Sequence, residues 1–350
     1  MAKPSQESSQ ESSKMSSSAN IAIVGATSLI GRDILNGLAE QNWRGEILAL
    51  GTGRYGGEEV TYGEERVLTV HPLESEDLSG FDIVIHAGDA RDAAAAAKKA
   101  KEAGAWLVDM SGIYAMDPSV PLIVPSVNES ILDDLDGAKK IIALPGPLAG
   151  ALSLALNPIH KAAMLKQVIV STYQSVSVHG RAAQDELFNQ TKKMFMAMPM
   201  TAETLPKQLA FNCWPMVGDE RDDGMTDVEF QTISQLKRIF GKDVKVSVNT
   251  VTVSAFTGDG MMVNIDCAQD MTAISAATLM MAQQGVGVID HGENMPTHAD
   301  VNGEDMVFVS RLRNDSAFDN GIAFWLLADN PRTGLTMPLL QLLHKLAQSA

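Results

Sequence analysis

Residues Gly25 to Gly31 read GATSLIG, directly after the apolar run NIAIV and directly before RDILNGLAEQ, whose apolar residues recur at helical spacing. A glycine-rich turn between strand and helix lets backbone N–H groups close on a pyrophosphate while the helix N-terminus favours its charge. Gly25 and Gly31 hold the outer positions of a GxxGxxG pattern; Ser28 holds the middle one. Its Cβ crowds an approaching phosphate, and its hydroxyl can donate to one. Thr27, Leu29 and Ile30 complete the candidate contacts, although such a turn also serves plain helix packing. The next strand ends in ILALGTGRYGG, with no acid to hold a ribose 2′-hydroxyl and with Arg54 where a 2′-phosphate would lie. The combination reads as NADP rather than NAD, against the alternative of an exposed loop arginine.

A second polar signal sits further along. From Lys166 to Val178 the even positions Val168, Val170, Thr172, Gln174 and Val176 share one face by the period of two, and Gln174 is the polar intruder on it. A buried amide needs partners, so Gln174 is either a satisfied core residue or part of a site. The seven histidines, among them His179 at the end of that strand, show no HxxxH or HxH spacing, which leaves a metal site without support. The two cysteines, Cys213 and Cys267, have neither metal-knuckle spacing nor disulfide density, and both read as buried, reduced thiols. The methionine-rich run Lys192 to Met200 reads as amphipathic core packing.

The elements that must position these residues change character along the chain. Residues 1–19 are rich in Ser and Gln and read as a disordered tail. From Asn20 short apolar strands (Glu46 to Leu50, Phe81 to His86) alternate with helical stretches such as Arg91 to Ala103, the pattern of a parallel sheet covered by helices. After Pro147 come longer alternating strands at Lys166 to Val178, Val244 to Ala255 and Met261 to Cys267, read as antiparallel, with helices at Arg181 to Met196, Asp227 to Phe240, Thr272 to Gln284 and from Gly334 onward. The expected architecture is α/β: a doubly wound Rossmann-type domain over 20–146 and 335–350, and an α+β domain over 147–334. The last helix returns to the first domain.

With 43 acidic against 27 basic residues, a formal charge of -16 repels nucleic-acid backbones and anionic membrane surfaces. No apolar run reaches the roughly 18 residues of a spanning helix, and no secretory signal is visible, so the expected location is the cytoplasm.

From Asn20 to Ala350 the chain resembles the aspartate-semialdehyde dehydrogenase family. The resemblance rests on GATSLIG, the Arg54 loop, Met116 to Asn128 (MDPSVPLIVPSVN), Val170 to Ser177 (VSTYQSVS) and Arg311 to Asn330 with the following PRTG. It implies an NADP-binding domain, a central catalytic and dimerisation domain, a homodimer, and interconversion of aspartyl phosphate and aspartate semialdehyde. In that chemistry a thiolate at a helix N-terminus attacks the carbonyl carbon, hydride passes to or from NADP, and phosphate cleaves or forms the acyl link.

Where the family holds its cysteine in a segment of the form NPNCST, this chain reads LPGPLA, and alignment through Ile141 to Ala143 and Pro145 puts Pro147 on the cysteine. Proline has neither thiol nor N–H, yet it suits a helix start. The same resemblance puts Thr252 where the family has a substrate-binding Arg, Asp259 where it has an acid/base His, Ala115 where it has another Arg, Gln231 where it has a Lys beside the retained Glu229, and Val178 where it has a glycine. Gln174 is kept, beside the nucleophile's place. The leading expectation is thus a non-catalytic relative similar to the Usg-like proteins, binding NADP and acting by regulation or dimerisation, with itself or with an active relative. The alternatives are a working dehydrogenase, or a hydride-transfer enzyme that needs no cysteine and takes its proton donor from Asp259, His179 or Tyr173.

Overall fold

The computed structural model describes residues 18–52, 55–64, 66–135, 140–289, 292–330 and 332–349. Most of the expected tail, and Arg54, lie outside the described residues. Eight strands come first: β1 (Ile21–Val24), β2 (Ile47–Gly51), β3 (Glu59–Tyr62), β4 (Arg66–Thr69), β5 (His71–Pro72), β6 (Ile83–His86), β7 (Trp106–Asp109) and β8 (Ile141–Ala143). Between them stand α1 (Leu29–Glu40) and α2 (Ala93–Ala103). The second half contains α3 (Pro147–Ala163), β9 (Leu165–Gln174), α4 (Arg181–Phe195), β10 (Cys213–Trp214), α5 (Asp227–Phe240), β11 (Lys245–Asn249), β12 (Thr252–Val253) and β13 (Asp259–Cys267). It closes with α6 (Ala273–Met281), β14 (Val286–Val288), β15 (Val307–Asp315), β16 (Gly321–Ala328), a π-helical turn at Arg332–Thr336, and α7 (Met337–Ser349).

The first sheet runs β5-β2-β1-β6-β7-β8 with every pairing parallel. Its central strands β1 and β6 are buried throughout, because helices cover both faces. On one side Ile21, Ile23, Ile83 and Ile85 pack with Ile34 and Leu35 of α1 and with Leu339, Leu343 and Leu346 of α7. On the other, Ala22, Val24, Val84 and Leu107 meet Ala96 and Ala100 of α2. The final helix therefore lies on the first sheet. The strand order turns back between β1 and β6, the position where open α/β sheets bind ligands.

The second sheet runs β10-β12-β9-β13-β16-β15-β14, with β11 also paired to β9. Its centre is antiparallel, but β11 and β12 run parallel to β9 and β14 runs parallel to β15, so the sheet is mixed rather than antiparallel. Helices α3, α5 and α6 cover one face, burying Val168, Val170, Met261, Val263, Ile265 and Phe324.

Three expected elements differ. The strand through Gln174 ends there, and Val176–His179 forms a 3-10 turn. The stretch 244–255 breaks at Thr250, whose N–H and hydroxyl both donate to Glu229 Oε1, at 2.7 and 3.1 Å, and leave the ladder. The methionine run is not core: α4 stops at Phe195, Ala197 takes a φ of 51°, and Phe195, Met196 and Met198 are exposed.

Candidate functional site

A cleft of about 1240 Å³ joins the two halves. Thr27, Ser28, Leu29 and Ile30 line it from the turn into α1, and Pro147, Leu148, Gln174, Val178 and Gln231 line it from the second half, together with Asp329, Asn330 and Arg332.

At the turn into α1, Gly25 has a φ of 85°, and a Cβ there would lie 2.5 Å from the Cα of Gly88, so two backbones cross where only glycine fits. Gly31 packs as tightly on the Gly25 carbonyl, its Cβ position lying 2.2 Å from that oxygen. Neither glycine lines the cleft; both shape it. Ser28 is the N-cap of α1: its hydroxyl accepts from the Gly31 N–H at 2.9 Å and donates to the Ala87 carbonyl at 3.1 Å. The serine thus ties the β1 turn to the β6 turn, and it also lines the cleft. It consumes one N–H, and leaves those of Leu29 and Ile30, in the first turn of a helix with no acidic residue there, without an acceptor among the described residues.

In the second half Pro147 opens α3 behind the N-cap Gly146, whose N–H donates to Gln235 Oε1 at 2.8 Å. The π-helical turn packs on this proline so closely that a Cβ on Gly334 would lie 2.7 Å from its Cα. Leu148 and Ala149, on the positions after the proline, are buried.

Gln174, Thr252 and Asp259, chosen from three separate stretches, are cross-strand neighbours: Gln174 of β9 is paired with Thr252 on one side and Asp259 on the other. Gln174 is buried, accepts from the Thr172 hydroxyl and donates through Nε2 to Asp259 Oδ2, both at 3.3 Å. Asp259 also accepts from the Ser175 N–H at 3.2 Å. Burial pushes its carboxyl up to about 7, against hydrogen bonds from Ser175, Asn330 and Gln174 that favour the anion. Asp259 stands behind Gln174 and Asn330 rather than on the cleft wall. Thr252 is buried too, donating to the Met216 carbonyl at 3.0 Å and meeting His179 Nε2 at 2.9 Å. Burial holds that imidazole below its ordinary range.

Ala115 is fully buried and its carbonyl accepts from Arg238, which also donates to the Val120 carbonyl at 2.6 Å. Gln231 lines the cleft, whereas Glu229 closes the capping box of α5 with Thr226 and holds Thr250. Tyr173, on the odd face of β9, stacks on Trp325 at 5.6 Å, on the sheet face opposite Gln174. Cys213 is exposed on the two-residue edge strand β10, contrary to its reading as a buried thiol, because an edge strand that short has nothing to cover it. Cys267 is buried in the core of the second sheet, where desolvation raises its thiol to about 11. These are the chain's only two cysteines, and neither lines the cleft.

Two features escaped sequence reasoning. Arg332 faces the cleft, with Nη2 2.8 Å from Glu40, Nη1 3.9 Å from Asp33 and Nε on Asp305. His86 and Asp109 form a buried pair at the C-terminal ends of β6 and β7. Neither pairing has a local sequence signal. Among the described residues no group of three His, Cys, Asp or Glu side chains could hold a metal ion, and no helix is long and apolar enough to cross a membrane.

Comparison with known proteins places this architecture. Residues 20–135 match the family model for the semialdehyde dehydrogenase NAD binding domain, and residues 156–333 match that for the semialdehyde dehydrogenase dimerisation domain. The chain is 36% identical over 330 residues to the aspartate-semialdehyde dehydrogenase of Rickettsia conorii, covering 93% of this chain and 97% of that one. It is 34% identical over 337 residues to the Aquifex aeolicus enzyme of the same name, at 94% and 98% coverage. The crystal structure of aspartate semialdehyde dehydrogenase II from Vibrio cholerae superposes with a TM-score of 0.89 at 31% identity, covering 95% of this chain and 99% of that chain. The chain belongs to the aspartate-semialdehyde dehydrogenase family.

Proposed function

We propose that this protein is a non-catalytic member of the family, of the Usg-like kind, that binds NADP as a cytoplasmic homodimer and acts in regulation rather than turnover. The observation that carries this reading is Pro147 at the first position of α3, with both thiols of the chain elsewhere. A thioester route needs a group that adds to carbon and later leaves, and no side chain at the start of α3 can do both. The surrounding residues support the reading. No guanidinium occupies the position of Thr252 or Ala115, and Asp259 is buried behind an amide.

The cofactor end supports binding. The Gly25–Gly88 crossing, the open amides of Leu29 and Ile30, and the volume of the cleft fit a dinucleotide. When bound, such a group supplies hydride exchange. Thr27 to Ile30 would hold its pyrophosphate, Arg54 its 2′-phosphate, and Asn330 and Gln174 the end nearest Pro147. A homodimer would use the uncovered face of the second sheet, on which Tyr173, Met262 and Trp325 lie. A hydride-transfer enzyme without cysteine is the second reading. Asp259, held near neutrality, is the group that favours it.

Calorimetric titration with NADP and NAD tests the binding claim. NADP should bind more tightly, and Arg54→Ala should weaken NADP by about tenfold or more, the scale of one charged hydrogen bond, while sparing NAD. Equal NADP affinity in the variant would overturn the NADP preference. Sizing should show twice the 37.5 kDa chain mass; a monomer that pairs only with an active relative would replace the homodimer by a heteromer. Carbonyl-dependent NADPH oxidation that disappears in Asp259→Asn would install the second reading.

A further inference from the structure

Helix α5 turns two amides toward the cleft, Gln231 and, one turn later, Gln235, which lines it together with Gly146 and Pro147. Gln235 is only 1% exposed. Its Oε1 accepts from the Gly146 N–H at 2.8 Å, and that donor fixes which end of the amide is oxygen. Nε2 is therefore a donor, and its hydrogens have no acceptor among the described residues. The atom is not closed off from solvent, so it reaches the cleft that the residue lines. A buried amide that spends its oxygen on the backbone and leaves its nitrogen unused points to a ligand that accepts.

The start of α3 adds donors beside it. Gly146 caps the helix without a side chain, the first turn holds no acid, and the N–H groups of Leu148 and Ala149 have no acceptor among the described residues. Leu148 lines the cleft, as does Gln174, whose Nε2 spends one hydrogen on Asp259 and keeps the other. Free cations are missing from the same walls. Arg332 is paired with Glu40 and Asp305, Arg181 with Asp185, and Arg32 donates to the Thr27 carbonyl; among the described residues no lysine lines the cleft.

A carboxylate or phosphate seated against Gln235 would be buried with no cation to balance it, whereas a carbonyl oxygen takes the same hydrogen bonds without a net charge to desolvate. The open N–H groups of a helix start suit the negative end of that carbonyl dipole. Gln231 has no partner among the described residues, and its amide is free to meet the ligand's own N–H. We propose that the part of the cleft around Gln235 binds a small uncharged carboxamide, as a ligand separate from the dinucleotide. The proposal rests on the reading of this site as non-catalytic.

The test compares succinamide with succinate, a diamide and a dicarboxylate of the same length, by calorimetry and saturation-transfer NMR on the full chain, with and without saturating NADP. Succinamide should bind in both conditions, at least about tenfold more tightly than succinate. Gln235→Glu keeps an oxygen for the Gly146 N–H and replaces the donor nitrogen by an acceptor; it should weaken succinamide by at least about tenfold and leave NADP affinity unchanged. Gln231→Ala, at a half-buried position, should weaken it a few-fold. No binding of succinamide, succinate binding as tightly, displacement of succinamide by NADP, or unchanged affinity in the folded variants overturns the inference. The same preparations are assayed with aspartate semialdehyde, phosphate and NADP. Turnover there overturns the non-catalytic reading and the inference with it; no turnover and no succinamide binding removes the inference alone.

Discussion

At the end of the cleft built from β1 and α1, backbone geometry fits a dinucleotide: two glycines cross at close contact, and the N–H groups of Leu29 and Ile30 have no acceptor among the described residues. At the end built from α3, β9, β12 and β13, the polar side chains bond within the protein. Thr252 turns to Met216 and His179, Asp259 to Gln174 and Ser175, and Arg238 to the carbonyl of Ala115. The difference shows which parts of a site the fold itself maintains. Backbone amides and glycine crossings are bound up with folding, so they persist. On the proposed reading, a nucleophile and its anchors are replaceable side chains, and the positions that the family resemblance assigns to them hold residues that suit the fold: a proline at a helix start, a threonine and a protonatable acid in a sheet.

The largest effect expected on this contrast concerns the nucleophile. Loss of one in an enzyme costs about 10⁴ to 10⁶ in turnover, and Pro147→Cys alone should recover almost none of it, because the two positions that the family resemblance gives to arginines hold Thr252 and Ala115. A stopped-flow assay of the variant with aspartate semialdehyde and phosphate checks this; recovery to within about tenfold of an active relative would erase the contrast.

Gly25→Ala attacks the other end. It forces a φ of 85° on a residue with a Cβ and drives that Cβ into Gly88. Dinucleotide binding should disappear, and urea denaturation should show a loss of about 1–3 kcal/mol.

Asp259 predicts a pH effect whose sign follows from its raised value. Between its ordinary 3.8 and about 7 the folded protein holds a proton that the unfolded chain has released. Its contribution is therefore fully present below pH 3.8, and stability falls as pH rises toward 7. Asp259→Asn should flatten that slope by a few kcal/mol across the window in denaturation midpoints taken at each pH. An unchanged slope would show the carboxyl to be solvated.

The smallest effect is at Ser28. Glycine is nearly as good an N-cap, so Ser28→Gly should change stability by only a few tenths of a kcal/mol. It frees the Gly31 N–H, and dinucleotide affinity should rise a few-fold by calorimetry.

The glycine turn, the period-two placement of Gln174 and the proline at the start of α3 were legible in the sequence because each is local: a turn, a strand and a helix start announce themselves within a few residues. The side-by-side placement of Gln174, Thr252 and Asp259 comes from the strand register, which no local pattern announces. The His86–Asp109 pair was not legible. It joins residues 23 apart through a parallel register that no periodicity encodes. The break at Thr250 was missed for the same reason, since its partner Glu229 lies 21 residues away on α5. The tie that Ser28 makes to the Ala87 carbonyl was not legible, because only the strand order brings that carbonyl within reach.

The central claim, a cleft that holds a dinucleotide but cannot form an acyl-enzyme, is tested most directly by following NADPH formation in the purified dimer supplied with aspartate semialdehyde, phosphate and NADP. The account predicts NADP binding in the same sample with no absorbance change above the blank lacking protein. Phosphate-dependent NADPH production at an enzyme's rate would contradict it.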